Sequence, residues 1–283
     1  MTTPNYLPLG AFSNEQDAAR ALLGEAANVL SQQGVDFVVL GRWIPYLFNR
    51  GGYSHPGTFD VDVLLNENTS RVSVNAASDA LCQIGYLRAP KNAFQFHRLL
   101  NVGSSPMVFH VDFLHRRYAA EAEDIILQWG HMTSIAGPGT DVIFTHSERA
   151  MRTVTVPSVH NGIQTSQVSI PFASELGFLS AKGRSATTAK RTRDAYDIFL
   201  VTKESEDYDH LVNRGAQLLG DGVFRISMQQ IEQGFGSGAL LDNAIKYLVP
   251  AMSEADARVL VSSTVTKYFE DVYAVAPSHT AAS

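Results

Sequence analysis

Phe59-Asp60-Val61-Asp62-Val63-Leu64-Leu65 sets two carboxylates into an apolar, strand-like run. Successive side chains of a strand alternate between its faces. Asp60 and Asp62 are therefore expected on one face, with Phe59, Val61 and Val63 on the other, toward a core. Two carboxylates side by side repel, and a cation relieves that cost. A hard divalent ion, Mg²⁺ or Mn²⁺, takes oxygen ligands and keeps substrate phosphates in its shell. Met107-Val108-Phe109-His110-Val111-Asp112-Phe113-Leu114 repeats the pattern. Phe109, Val111 and Phe113 share one face; His110 and Asp112 take the other. If the two strands are neighbours, Asp60, Asp62 and Asp112 converge on the kind of metal cluster that two-metal nucleotidyl transfer needs. Each motif also has an ordinary reading. An isolated Asp-x-Asp is common, and a lone strand aspartate often bonds a turn.

Working outward, Ser13 and Gln16 have the spacing of a capping box. Ala18, Leu22, Ala26, Val29 and Leu30 then recur at helical spacing up to Gly34, a C-terminal stop. Val35–Leu40 reads as a buried strand broken by Gly41. Trp43–Phe48 reads as a short helix with Pro45 in its first turn. A strand-to-helix turn of this kind can face phosphates with backbone N–H groups. The stretch 50–57 is a loop, and Arg71–Gln83 is a helix ended by Gly85. Residues 93–100 and 107–114 form a hairpin around Gly103-Ser104-Ser105-Pro106. Short strands are expected over Asp141–Phe144, 153–159 and 164–170, the last two joined at Asn161-Gly162. From Ala173 the pattern is helical. The fold class expected is α+β: a mixed sheet with flanking helices over residues 1–171, followed by a helical domain over 172–283.

With 283 residues, 45% of them hydrophobic, the chain can bury a sizeable core. A formal charge of −6 does not suggest an extended nucleic-acid groove, though it leaves room for a local basic pocket. One cysteine, Cys82, excludes a disulfide framework and a cysteine zinc site, and the nine histidines lack zinc spacing. No signal peptide or membrane span is legible, so the compartment expected is the cytoplasm. His55 reads as a loop-surface residue with a route to the site, and Trp43 as core. Gly234-Phe235-Gly236-Ser237-Gly238 lacks the context and lysine of a phosphate loop and reads as a flexible loop.

Leu40-Gly41-Arg42-Trp43, followed by His55-Pro56-Gly57-Thr58-Phe59-Asp60-Val61-Asp62, resembles the opening of a DNA polymerase β-like nucleotidyltransferase. The resemblance is strongest to the AbiEii/AbiGii toxin branch, which includes mycobacterial tRNA-modifying toxins. A later stretch extends it: Lys182, Arg184, then Arg191-Thr192-Arg193-Asp194-Ala195-Tyr196-Asp197-Ile198. The resemblance implies metal binding at Asp60, Asp62 and Asp112. It implies catalytic parts for Asp60, Asp62, Lys182, Asp194 and Asp197, and nucleotide contacts from Gly41, Arg42, Thr58, Lys182, Arg184 and Arg193. Asp194 and Asp197 lie three apart on one helical face, where one could orient Lys182 or approach the metal site, while the other caps the helix or pairs with Arg193. Read without the resemblance, this is a solvated helix with local ion pairs. Arg42 departs from the pattern, since a small residue is usual there; it either charges the phosphate site or points to solvent.

The implied reaction moves a nucleoside monophosphate from an NTP to an acceptor hydroxyl. The implied acceptor is the 3′ end of tRNA, and the implied setting is a toxin–antitoxin system with a cognate antitoxin. Two alternatives stand beside it: an acceptor that is a small molecule or a protein, and an inactive nucleotide-binding module.

Overall fold

The structure, a computed structural model, describes residues 11–48, 52–53, 55–116, 126–160, 162–186 and 191–276. In chain order its elements are β1 (Ala11–Phe12), α1 (Glu15–Gln32), β2 (Phe37–Val39), α2 (Trp43–Phe48), β3 (Asp60–Leu65), α3 (Arg71–Gln83), β4 (Leu87–Arg88), β5 (Gln95–Val102) and β6 (Ser105–Arg116). There follow β7 (Ile126–Gln128), β8 (Thr133–Gly137), α4 (Asp141–Thr145), β9 (Arg149–Pro157), β10 (Thr165–Ala173), α5 (Glu175–Ser185) and α6 (Asp194–Glu204). The chain closes with α7 (Tyr208–Leu218), α8 (Gly222–Gly236), α9 (Ala239–Ile245) and α10 (Glu254–Val275).

Contacts divide the chain into two compact units. The first comprises the described residues of Met1–Trp43, Gly57–Gly137 and Arg149–Ala173; the second comprises those of Ile44–Pro56, Pro138–Glu148 and Ser174–Ser283. The first unit holds a mixed sheet ordered β1-β5-β6-β3-β2-β10-β9. β3 runs parallel to β6 and antiparallel to β2, which is parallel to β10. β5 and β6 form the hairpin, turning at Gly103-Ser104, so that Ser105 and Pro106 belong to β6. Pro106 has no N–H to donate, which is tolerated because β3 joins β6 only from His110 onward. α1 packs across β3, β5, β6, β9 and β10 and against α3. The core between them includes Ala18, Leu22, Leu23, Ala26, Val61, Val63, Phe96, Phe109, Val111 and Phe113. Burying each large side chain contributes about 1.5–3 kcal/mol. The second unit is helical: α5 packs on α8, α6 on α9 and α10, and α7 on α10. The α+β architecture, with helices after the sheet, is the one the sequence led us to expect.

Several local expectations are corrected. Asn14, not Ser13, caps α1 by accepting from Asp17 N, and Gln16 instead accepts from Thr58 N. Phe59 precedes β3 and is 37% exposed, so it is not core. Asp141–Phe144 is helix α4, entered from Gly139 at φ 79°. A short apolar run cannot distinguish helix from strand by its period. The glycine-rich stretch is no loop: α8 continues through Gly234 to Gly236, and only Gly238 is left-handed. A Cβ at Gly234 would meet Leu240, so this glycine lets α8 and α9 approach closely. Strands β1, β4, β7 and β8 carry no clear alternation and were not expected. Within the expected 50–57 loop, residues 50, 51 and 54 lie outside the described residues, as does Asn161 of the expected turn before β10.

Candidate functional site

The β3–β6 register aligns the carboxylates. Asp62 pairs with Asp112 and Asp60 with His110 across the parallel ladder. Buried Val61 and Val63 alternate with half-buried Asp60 and Asp62, so the two acids share one face. β5 widens this polar face: Gln95 pairs with Asp112 and His97 with His110. Gln95 Nε2 donates to Asp112 Oδ2 at 3.2 Å. The His97 and His110 rings lie 4.7 Å apart, and burial, then the His110 charge, hold His97 below the usual histidine value. Gln95 and His97 were missed in the sequence because their place depends on hairpin register.

The turn before α2 is tied to β3 on both sides. Leu40 N donates to Asp62 O at 2.9 Å, and the Trp43 indole N–H donates to Asp60 O at 2.9 Å. Between these anchors Gly41 has φ 72°, and a Cβ there would collide with Asp62 Oδ2. The positive φ favours glycine here, and a Cβ would displace the Asp62 carboxylate. Trp43 is fully buried, as expected of a core residue. Arg42 Nη2 stands 3.9 Å from Asp60 Oδ2, with side chains 32% and 44% exposed. Thr58 is buried, its hydroxyl 3.4 Å from Asp60 O, so its side chain meets backbone.

The donor set suits a hard cation by chemistry: three carboxylates and a neighbouring amide on one face. Among the described residues, however, no group of three or more His, Cys, Asp or Glu side chains is arranged to hold a metal ion. Among the described residues, the charged side chain paired with Asp60 is Arg42.

In the helical unit a second charged cluster forms. Lys182 Nζ donates to Asp194 Oδ1 at 2.7 Å, and Ser185 Oγ to Asp194 Oδ2 at 3.1 Å. The lysine and Asp194 side chains are 9% and 5% exposed. Lys182 also lies 5.7 Å from the Phe178 ring centroid. Asp194 thus takes the lysine-orienting part. Asp197 is fully buried, with His55 Nε2 3.2 Å from its Oδ1 and the Tyr46 ring 5.7 Å from the His55 ring. His55 is not on a loop surface, and no local signal announced its partner across the chain. Arg193 occupies the α6 N-cap position, where its carbonyl accepts from Tyr196 N and Asp197 N. Arg184 is half-buried near the end of α5, beside Gly139.

The fold and the acidic face define an α+β protein with a carboxylate-lined parallel strand pair. No protein-family model and no curated protein matches the chain. Among solved structures it is similar to an antigenic nucleotidyltransferase-like protein from Paracoccidioides brasiliensis. The identity is 13% and the TM-score 0.44, over 81% of this chain and 94% of that one. At that score the likeness carries no argument about activity. No helix among the described residues is long and apolar enough to cross a membrane.

Proposed function

We propose that this chain is a metal-dependent nucleotidyltransferase, transferring a nucleoside monophosphate from an NTP to an acceptor hydroxyl. The observation that carries the reading is the register pairing Asp62 with Asp112, with Asp60 on the same face. Asp60, Asp62 and Asp112 would hold Mg²⁺ or Mn²⁺, which when bound supplies Lewis-acid charge to the phosphates and lowers the pKa of the attacking hydroxyl. The acceptor oxygen bonds to the α-phosphorus, the bond to the β-phosphate breaks, and pyrophosphate leaves. Gln95 orients Asp112 through its amide. Gly41 gives the Asp62 carboxylate room, and Arg42 offers a cation to the phosphates. The resemblance also assigns a catalytic part to Lys182, which Asp194 holds within the helical unit.

The finer reading also follows the resemblance to AbiEii/AbiGii-type proteins. The acceptor is the 3′ end of tRNA, and the protein is a cytoplasmic toxin with a cognate antitoxin. Incubation with α-labelled NTPs, Mg²⁺ and total RNA tests both levels. Label should enter tRNA, and periodate oxidation of the tRNA 3′ diol should abolish entry. Label in oxidised tRNA, or only in protein or a small molecule, overturns the tRNA reading and spares the transferase. A second reading, an inactive nucleotide-binding module, is favoured by Arg42 at Asp60; it predicts NTP binding with no label in any acceptor.

A further inference from the structure

The sheet face that carries the acids continues past them. Gln95, His97 and Leu99 of β5 lie on the same side as Asp112, His110 and Val108 of β6, while the residues between them are buried. The register sets these out in three rungs: Gln95 with Asp112, His97 with His110, and Leu99 with Val108. At ~3.3 Å per residue the last rung lies about 13 Å from the first. The two histidine rings are 4.7 Å apart and tilted by 31°, ring against ring across the strands. Leu99 and Val108 are both exposed, an apolar pair left in the open. Leu87 of β4, which faces His97 from its other side, is exposed as well. Beyond the Asp112 rung, the described residues of β5, and of β6 from Pro106 to His110, place no carboxylate, lysine or arginine on this face.

Such a strip suits bases better than phosphates. Phosphates laid on it would face the Asp60, Asp62 and Asp112 carboxylates with no cation on the strip to offset them. Unstacked bases bring flat apolar faces and hydrogen-bonding edges, and an open sheet bearing aromatic side chains receives them by stacking. A protein partner is served less well: three exposed apolar side chains among polar ones give little of the apolar core that a stable interface buries.

We infer that the β5–β6 strip is a platform for the unpaired 3′ end of RNA, whose last bases lie against His97, His110, Leu99 and Val108. The inference rests on the nucleotidyltransferase reading of the neighbouring acids, with RNA as the acceptor. A base on the outer face of a histidine ring extends the ring pair by one layer, and Leu99 and Val108 cover the base behind it. The terminal ribose is thereby delivered toward the Asp112 rung. The sugar–phosphate chain stays on the solvent side, away from the carboxylates. His97, Leu99 and Val108 are positioning residues: they place the acceptor and leave the reacting atoms to the acids. A single-stranded end fits and a duplex does not, because paired bases keep their faces within their own stack.

The test is binding of a short single-stranded RNA, labelled with fluorescein at its 5′ end, to the full-length protein without NTP, read by fluorescence anisotropy. The blunt duplex of the same RNA is the comparison, and wild type should prefer the single strand. His97→Ala, and separately Leu99→Ser with Val108→Ser, should each weaken binding at least ~5-fold, the low end for losing one stacked base. Leu99 and Val108 are exposed, so replacing them leaves the core intact. His97→Phe should keep most of the affinity. Binding of mant-labelled ATP or GTP should stay at the wild-type level in all variants, and in transfer assays the loss should appear in the KM for RNA and not in kcat. Equal RNA affinity in wild type and variants, with RNA still labelled, overturns the platform and leaves the transferase; a protein-docking surface gives this result. A loss of nucleotide affinity in place of RNA affinity assigns the strip to the incoming base and overturns the platform likewise. Wild type that binds no RNA, yet labels another acceptor, removes the RNA reading and the platform with it. Variant losses in RNA binding with no label entering any acceptor support the platform and overturn the transferase.

Discussion

Gly41 shows how one residue joins fold to site. Its left-handed backbone strains any other residue, and a methyl group there would displace the Asp62 carboxylate. Gly41→Ala should cost about 1–2 kcal/mol from the backbone alone. It should also push Asp62 out of line, so that nucleotide transfer falls by more than the loss of stability explains; thermal unfolding and transfer rate, measured together, check this. His115, on the face of β6 opposite Asp112, provides a pH test. Its ring is 1% exposed, 2.8 Å from Ser134 Oγ, which also accepts from the Trp129 indole N–H. Burial pushes the His115 pKa down to about 4, so the fold favours the neutral ring. An unfolded histidine titrates near 6.5, so this contribution is complete above pH ~6.5 and is lost as pH falls from ~6.5 toward ~4. The loss is on the order of 3 kcal/mol. His115→Gln should flatten the decline of urea-unfolding stability across that window, and an unchanged decline would refute the assignment. At this scale the acids were legible in the sequence, because alternation alone sets Asp60 and Asp62 on one face. The indole bond from Trp43 and the His55–Asp197 pair were not, since each partner lies far along the chain with no local pattern.

Among the elements, α5 and α6 are joined by the Lys182–Asp194 pair inside the helical unit. A buried ion pair carries a desolvation cost, and removing one partner strands the other. Lys182→Met alone or Asp194→Leu alone should destabilise by about 3–5 kcal/mol, while the double replacement should recover most of that. A double-mutant cycle in urea reads the difference; additive losses would show that the pair is not coupled. Strand and helix boundaries were recovered best where periodicity was long, as in α3, whose expected span Arg71–Gln83 is the observed one. They failed where four or five apolar residues had to decide alone, as in α4. The parallel pairing of β3 with β6 was beyond the sequence. It depends on which strands become neighbours, a property of the whole sheet that neither run encodes locally.

For the molecule as a whole, the sequence suggested a linear division near residue 171, whereas Ile44–Pro56 and Pro138–Glu148 group with the helical unit. Such excursions are invisible to composition, because they are defined by contacts and not by linkers. The net charge of −6 argues that any RNA contact is confined to a terminus. The logarithm of RNA affinity should then fall against log salt with a slope of only a few units, at about 0.7 per phosphate contacted. A slope approaching ten would indicate an extended groove and contradict the terminal mode of binding. The central claim is that the in-register carboxylates of β3 and β6 are the chemical centre. It is tested most directly by Mg²⁺-dependent transfer of α-label from NTPs by wild type, Asp62→Asn and Asp112→Asn, each first checked for native folding. The account predicts labelling by wild type and a loss of at least about a hundredfold in both variants, as for removal of a preorganised electrostatic group. Undiminished labelling by either folded variant would contradict it.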